Sequence, residues 1–266
     1  MRRWAPWIVI AVAIGLAAPA VTADFTADDH LHRLLLREAP GLGGLPSRPF
    51  DLFVFATGEP ADTANLRTIG VYPWWTDPQL KLSFWRPLSS ATHVLDHALW
   101  PESSTAQLAH NLAWHALGLV LVWLFYRRFL SVRWIAVLAL ALYGFDDARG
   151  PVVGWIANRN ALVALALALP VLLAHDRWRR DDWLPGRWVG PLVFAASLGA
   201  GESSIAILAY LGAHALWLDR GSWRARALAL APYAVIVIAW RILYAHFGYG
   251  TFGSGIYLDP GADPIG

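Results

Sequence analysis

The chain has 266 residues, 57% hydrophobic and only 15% charged, with a mean hydropathy of +0.43. A soluble domain usually carries about 25% charged residues, so the composition excludes an ordinary soluble globule and points to the membrane class. The net charge of +2 is small and the arginines sit beside apolar runs, which gives no footing to a nucleic-acid partner, and the absence of cysteine excludes disulfides and thiolate metal sites.

The first element, "MRRWAPWIVIAVAIGLAAPAVTADF", combines a basic start, an apolar run and an A-x-A-like "VTA". That pattern suits a signal peptide, but the run is long enough to cross a bilayer and further apolar runs follow, so an uncleaved first helix is expected. Spans are expected over about 4–23, 106–126, 134–145, 161–175, 188–200, 203–218 and 227–246, all within one module covering 1–266. Arg2 and Arg3, Arg127, Arg128 and Arg133, Arg177, Arg179, Arg180 and Arg187, and Arg220, Arg224 and Arg226 fall on one side if every run crosses. The positive-inside rule makes that side cytoplasmic, with the loop 24–105 and the tail after His246 outside, and the protein integral to the cytoplasmic membrane. Trp4, Trp7, Trp123, Trp134, Trp178, Trp188, Trp217 and Trp223 gather at the same end, as an aromatic belt does.

Within the long loop, "LHRLLLRE" and "RPLSSATHVLDHALW" have the spacing of amphipathic helices lying on the membrane, whereas "EAPGLGGLPSRP" and "VYPWWTDP" read as turns. The runs 134–145, 161–175, 188–200 and 203–218 are short against about 30 Å of hydrocarbon. Either the helices extend through the polar segments around Asp146, Asp147 and Glu202, or those connections are sunk where they line a cavity, which is the reading favoured here.

Five elements, in order, carry a family resemblance: the acidic pair in "FTADDHLH", then "FWRPLSSATHVLDHALW", "QLAHNLAWHALGLVLVWLFYRR", "GWIANRNALVALAL" and "GESSIAILAYL". Together they resemble the membrane module of polyprenyl-phosphate-sugar-dependent glycosyltransferases of the GT-C fold, closest to the transmembrane and tetratricopeptide-repeat O-mannosyltransferases and their bacterial relatives. The chain departs from that pattern at Phe145–Arg149, where relatives have a His-Pro-x-His element, and in having no Lys before Glu202; it also stops short of the further spans of relatives, as a truncated or minimal module would.

The resemblance implies an all-α polytopic fold with about seven transmembrane helices. It implies hexosyl transfer from a lipid-linked donor, a polyprenyl-phosphate sugar, to an extracytoplasmic acceptor that is a protein, glycan or lipid. It implies that Asp28 or Asp29 is the general base; neighbours on a helix point about 100° apart, so one of the two is expected to face the reaction, with Asp28 preferred. Either aspartate could instead cap the helix that follows. Arg86, Arg159 and Arg241 are candidates for the lipid phosphate, against snorkelling to headgroups. Glu202 is a candidate because a lone acid between apolar runs is costly unless used, and Asp146 and Asp147 either bind acceptor or metal or pair with Arg149. His30, His32, His110 and His115 show no metal-ligand spacing, so no metal site is indicated, and hydrogen-bonded helix packing is expected of the last two. The competing reading is a non-catalytic polyprenyl-lipid-binding or complex-forming protein of the same fold.

Overall fold

The computed structural model describes residues 3–37, 45, 48 and 50–257. The turn expected over 38–49 lies almost wholly outside these residues, as does the tail from 258 onward. The chain is mostly helical. Among the described residues four helices are long and apolar enough to cross a membrane: Ala5–Thr22, Ser104–Phe129, Ile156–Asp181 and Trp223–His246.

The first comprises α1 (Ala5–Ala17), with Pro6 in its opening turn, and a 3-10 continuation to Thr22. Pro is tolerated there because its missing N–H has no intrahelical acceptor. A separate lobe follows, built from α2 (Asp28–Leu36), β1 (Val54–Thr57), α3 (Pro60–Thr68), β2 (Lys81–Ser83) and α4 (Pro87–Leu99). The lobe has its own core, with Leu35, Leu52, Phe53, Leu66 and Phe84 buried together. Then come α5 (Ser104–Phe129), α6 (Arg133–Gly144), the short α7 (Arg149–Val153), α8 (Arg159–Asp181), α9 (Gly186–Leu198), α10 (Ile207–Trp217) and α11 (Trp223–His246). Ser103 and Ser222 cap α5 and α11 through side-chain oxygens that accept from Ala106 N (3.2 Å) and Ala225 N (3.3 Å). α8 closes on Asp182 in the left-handed region, φ 56°, with Trp183 N donating back to Arg177 O.

After α11 the chain returns to the lobe. β3 (Gly250–Phe252) pairs antiparallel with β2, which pairs antiparallel with β1, giving the order β1-β2-β3. The all-α fold expected from the sequence is thus corrected by a small sheet. Its strands of three or four residues are too short to show a period-2 pattern, and one comes from the far end of the chain.

Two apolar clusters fill the bundle. One joins α1, α5 and α6 around Ile10, Leu119, Trp123 and Leu140; the other joins α8, α9, α10 and α11 around Val171, Phe194, Leu211 and Tyr233. Trp123 therefore leaves the expected belt and is 2% exposed, while Trp4, Trp134, Trp188, Trp217 and Trp223 are exposed. α8 and α9 pack backbone to backbone, since a Cβ on Gly186 would stand 2.3 Å from Ala174 O.

Polar side chains collect at the two ends of the bundle. At one end Asp176 of α8 pairs with Arg128 of α5 (2.5 Å) and His214 of α10 (2.9 Å), and Arg179 pairs with Asp219 (2.7 Å). At the other, Arg159 at the start of α8 pairs with Asp96 of α4, Glu202 before α10 pairs with Arg86 (2.8 Å), and Leu88 N donates to Gly199 O after α9 (2.9 Å). Along α8, Arg159 and Asp176 are about 25 Å apart at 1.5 Å per residue, close to the hydrocarbon thickness of a bilayer.

α4 is amphipathic in the reverse sense to a soluble helix. Its inner face is Ser89, Ser90, His93 and Asp96, all 3% exposed or less, while Leu88, Leu95 and Leu99 point outward at 37%, 50% and 55%. Three of these side chains have partners, while His93 Nε2 has none: Ser89 donates to Ala200 O (2.7 Å), Ser90 accepts from Leu52 N (3.3 Å), and Asp96 meets Arg159 and His110.

Candidate functional site

The two aspartates of "FTADDHLH" are separated by their surroundings. Ala27, immediately before α2, has φ 43°, a strained value for a residue with a Cβ. The bend turns Asp29 inward. Its Oδ2 accepts from Thr26 N (3.0 Å) and its Oδ1 from Ala157 N (2.7 Å), so it fixes the bend that enters α2 and ties it to the turn before α8. Burial raises its pKa, and the backbone donors Thr26 and Ala157 oppose that rise.

Asp28 is turned the other way, into a cavity of about 510 Å³ between lobe and bundle, lined also by His30, Arg86, Trp155, Asn158 and Asn160. Burial first, and then the neighbouring charge of Asp29, push the Asp28 carboxyl above its ordinary value. A carboxylate raised in this way is a better base than a solvated one.

Arg86 is the cation of this cavity. Its Nε donates to Glu202 Oε2 (2.8 Å), and its guanidinium lies 4.4 Å from the Phe84 ring centre and 5.0 Å from that of Phe53. Asn160, with its amide turned to suit its neighbours, accepts from Arg86 Nη1 (3.3 Å) and donates to Ala157 O (3.2 Å). Glu202 leaves Oε1 buried without a hydrogen bond, and the Trp155 indole N–H is likewise unpartnered. The cavity thus offers a base, a fixed guanidinium, an amide, aromatic faces and one unused donor.

Behind it lies a second cavity of about 390 Å³ among α5, α6, α8 and α10, lined by Val122, Phe125, Leu165, Leu172 and Ile207. Its polar members are Arg149, the tyrosines Tyr126, Tyr143 and Tyr210, and Ser203 and Ser204. Arg149 reaches Asp146 only at 3.9 Å and Tyr143 Oη at 3.5 Å, and its Nε–H has no partner. Asn160 lines the first cavity and the next residue, Ala161, lines the second.

The other residues singled out from sequence lie elsewhere. Arg159 is 0% exposed and turned into the protein, held by Asp96, Asn111 Oδ1, Thr92 O (3.2 Å) and Gln107 O (3.0 Å); it lines neither cavity. Arg241 lies on α11 with its guanidinium 5.7 Å from the Tyr244 ring and lines neither cavity. Asp146 and Asp147 are exposed; Asp146 accepts from Ala148 N (3.0 Å), the loop role named as one of its two alternatives. His110 accepts from Trp114 Nε1 at its Nε2 (3.0 Å) and donates from Nδ1 to Asp96 Oδ1 (2.6 Å), which is helix packing. His32 stacks in the lobe core against Phe53 and Phe55, and burial draws its pKa down to about 3. Among the described residues no group of three or more His, Asp or Glu could hold a metal ion.

Asn160, Trp155 and Arg149 were not singled out as ligands from sequence. The signal for Asn160 was its place next to Arg159: with about 100° between neighbours on a helix, only one of the two could face the cavity. Comparison with known proteins adds nothing to this geometry, since no family model, curated protein or solved structure matches the chain.

Proposed function

We propose that the chain is a membrane glycosyltransferase that moves a sugar from a polyprenyl-phosphate donor to an extracytoplasmic hydroxyl. The observation that carries the reading is Asp28: a half-buried carboxyl of raised basicity, facing a cavity shared with Arg86, in a chain with a second, largely apolar cavity along α8 that Arg149 also lines. In the reaction Asp28 takes the acceptor proton, the freed oxygen bonds to the anomeric carbon, and the bond from that carbon to the phosphate oxygen breaks. The leaving phosphate takes the electron pair. Arg149 and Arg86 are its cations in this reading, and the groove along α8 takes the adjoining isoprenes. Arg159 has no part in it, because every face of its guanidinium is used inside the protein.

A seven-span topology with the lobe outside fits this reading. β3 and β2 share one sheet, so the chain between them must cross an even number of times. The three long helices after the lobe give an odd number, and six crossings follow if α6, α9 and α10 cross as well. The shared pairs Arg128–Asp176 and Asp176–His214 support that count by joining the ends of α5, α8 and α10 at one side.

The test is turnover of polyprenyl-phosphate mannose by the purified protein in lipid nanodiscs, beside Asp28→Asn. General-base removal is expected to cost about 10²–10⁴-fold in turnover with donor binding kept. Binding of the lipid without turnover by the parent protein, over a panel of hydroxyl acceptors, would replace this reading by the non-catalytic lipid-binding one.

A further inference from the structure

Charge is distributed very unevenly over the chain. The segments at the end of the bundle opposite the lobe (3–4, 127–133, 175–188 and 214–226) hold eleven arginines and four aspartates, with no lysine or glutamate, although the net charge of the whole chain is only +2. Three of the aspartates are consumed internally: Asp176 by Arg128 and Arg180, Asp181 by Arg128, and Asp219 by Arg179. Arg177, Arg187, Arg220 and Arg224 form no ion pair among the described residues.

A second observation is independent of charge. Every arginine stacked on a tryptophan among the described residues is at this end: Arg3 on Trp4 (5.0 Å), Arg177 on Trp183 (4.8 Å), Arg179 on Trp178 (5.2 Å), Arg187 on Trp188 (4.8 Å) and Arg226 on Trp223 (4.6 Å). Toward the lobe, arginines stack on Phe or Tyr instead, though Trp85, Trp100 and Trp155 are there to be used. The α8–α9 turn is the most firmly built part of the rim. Trp183 N donates to Arg177 O (3.1 Å), and a Cβ on Gly186 would stand 3.0 Å from the Trp183 ring, so the turn presents Arg177 in one place.

We infer that this rim, centred on Arg177 and Arg187 of the α8–α9 turn, is a binding surface for anionic phospholipid headgroups. A tryptophan seats its ring at the headgroup level of a bilayer. A guanidinium stacked on it is desolvated on one face and keeps its N–H edge for a phosphate. Two such couples in one turn, with no free carboxylate but Asp182 near them, select an acidic headgroup over a zwitterionic one. The inference rests on the chain lying in a membrane, not on sugar transfer.

The test uses the full chain in detergent, titrated with phosphatidylglycerol or phosphatidylcholine. Retained lipid is counted by native mass spectrometry and the unfolding midpoint is followed in parallel. The parent is expected to retain phosphatidylglycerol in preference. The triple variant Arg177→Gln, Arg187→Gln, Arg224→Gln is expected to lose about a hundredfold of that preference, at roughly fivefold per arginine. A control triple in the lobe, Arg48→Gln, Arg67→Gln, Lys81→Gln, is expected to keep it. If the rim triple does not fold, Arg177→Gln and Arg187→Gln singly are each expected to lose about fivefold. Equal retention of the two lipids by the parent, or equal loss in the rim and control triples, overturns the inference.

Discussion

Arg159 gives the sharpest test of the structure against the sequence. At the outer start of an apolar run it looks available to a lipid phosphate, yet the fold seals it. Its guanidinium is 0% exposed and engages Asp96, Asn111, Thr92 and the Gln107 carbonyl, joining α8 to both α4 and α5. Arg159→Met removes the cation and leaves the Asp96 carboxylate, also 0% exposed, with His110 as its remaining side-chain partner. Stranding a buried charge in this way costs about 3–5 kcal/mol. At roughly 2–4 °C per kcal/mol for a chain of this size, the unfolding midpoint is expected to fall by about 6–20 °C. Replacing both partners tests the cause: Arg159→Met with Asp96→Leu is expected to regain most of the loss, because a buried pair exchanged for apolar groups is often close to neutral. The assay is thermal unfolding of purified parent, both singles and the double in one lipid nanodisc preparation. A single Arg159→Met that melts with the parent and only weakens binding of a polyprenyl-phosphate donor would refute the structural assignment and restore the phosphate role.

Asp29→Asn turns one carboxylate oxygen into a donor facing a backbone N–H of Thr26 or Ala157; a loss of about 1.5–3 kcal/mol is expected, read as a lowered midpoint. Asp28→Asn is expected to do the reverse. Because burial and Asp29 raise the Asp28 pKa, its ionisation weighs against the folded state: that cost is absent below the unfolded carboxylate pKa and grows as pH rises through the folded one. The variant should therefore melt at or above the parent at pH 7, the two converging in acid, while donor turnover by the parent rises with pH to a plateau through a pKa above 3.8. Gly186→Ala puts a methyl group 2.3 Å from the Ala174 carbonyl oxygen, so α8 and α9 must part, at an expected cost of about 1–3 kcal/mol measured in the same melts.

The apolar segments were legible because spanning length and hydropathy are local properties. Expected runs at 106–126 and 161–175 became Ser104–Phe129 and Arg159–Asp181. The added turns are polar: α8 continues through "HDRWRR" because Asp176 and Arg179 find partners on α5, α10 and the turn at Asp219, and no hydropathy window sees those partners. The acidic pair was legible as a pair, but the division of labour within it depends on Ala157, far along the chain. The sheet was not legible, since β3 joins β2 across the whole bundle.

α4 shows why the remaining part of the site was hidden. Its Leu88, Leu95 and Leu99 share a face, and read alone that face could turn to a core or to lipid. What decides is the other face. Asp96 there meets Arg159 and His110, Ser89 meets Ala200 O, and Ser90 meets Leu52 N, so the helix is fixed to lobe and bundle through its polar side and its leucines are left outside. Such an arrangement would be unstable in water, where about 25 cal/mol per Å² of apolar burial would favour turning the leucines in. In lipid that incentive disappears and the unsatisfied polar group becomes the costly one. α4 begins at Pro87, directly after Arg86, so the contacts that fix its polar face also hold the Arg86 guanidinium between Phe84 and Glu202. The polar face of α4 thus bears on the candidate site: the contacts that fix it also place Arg86, which shares the cavity with Asp28.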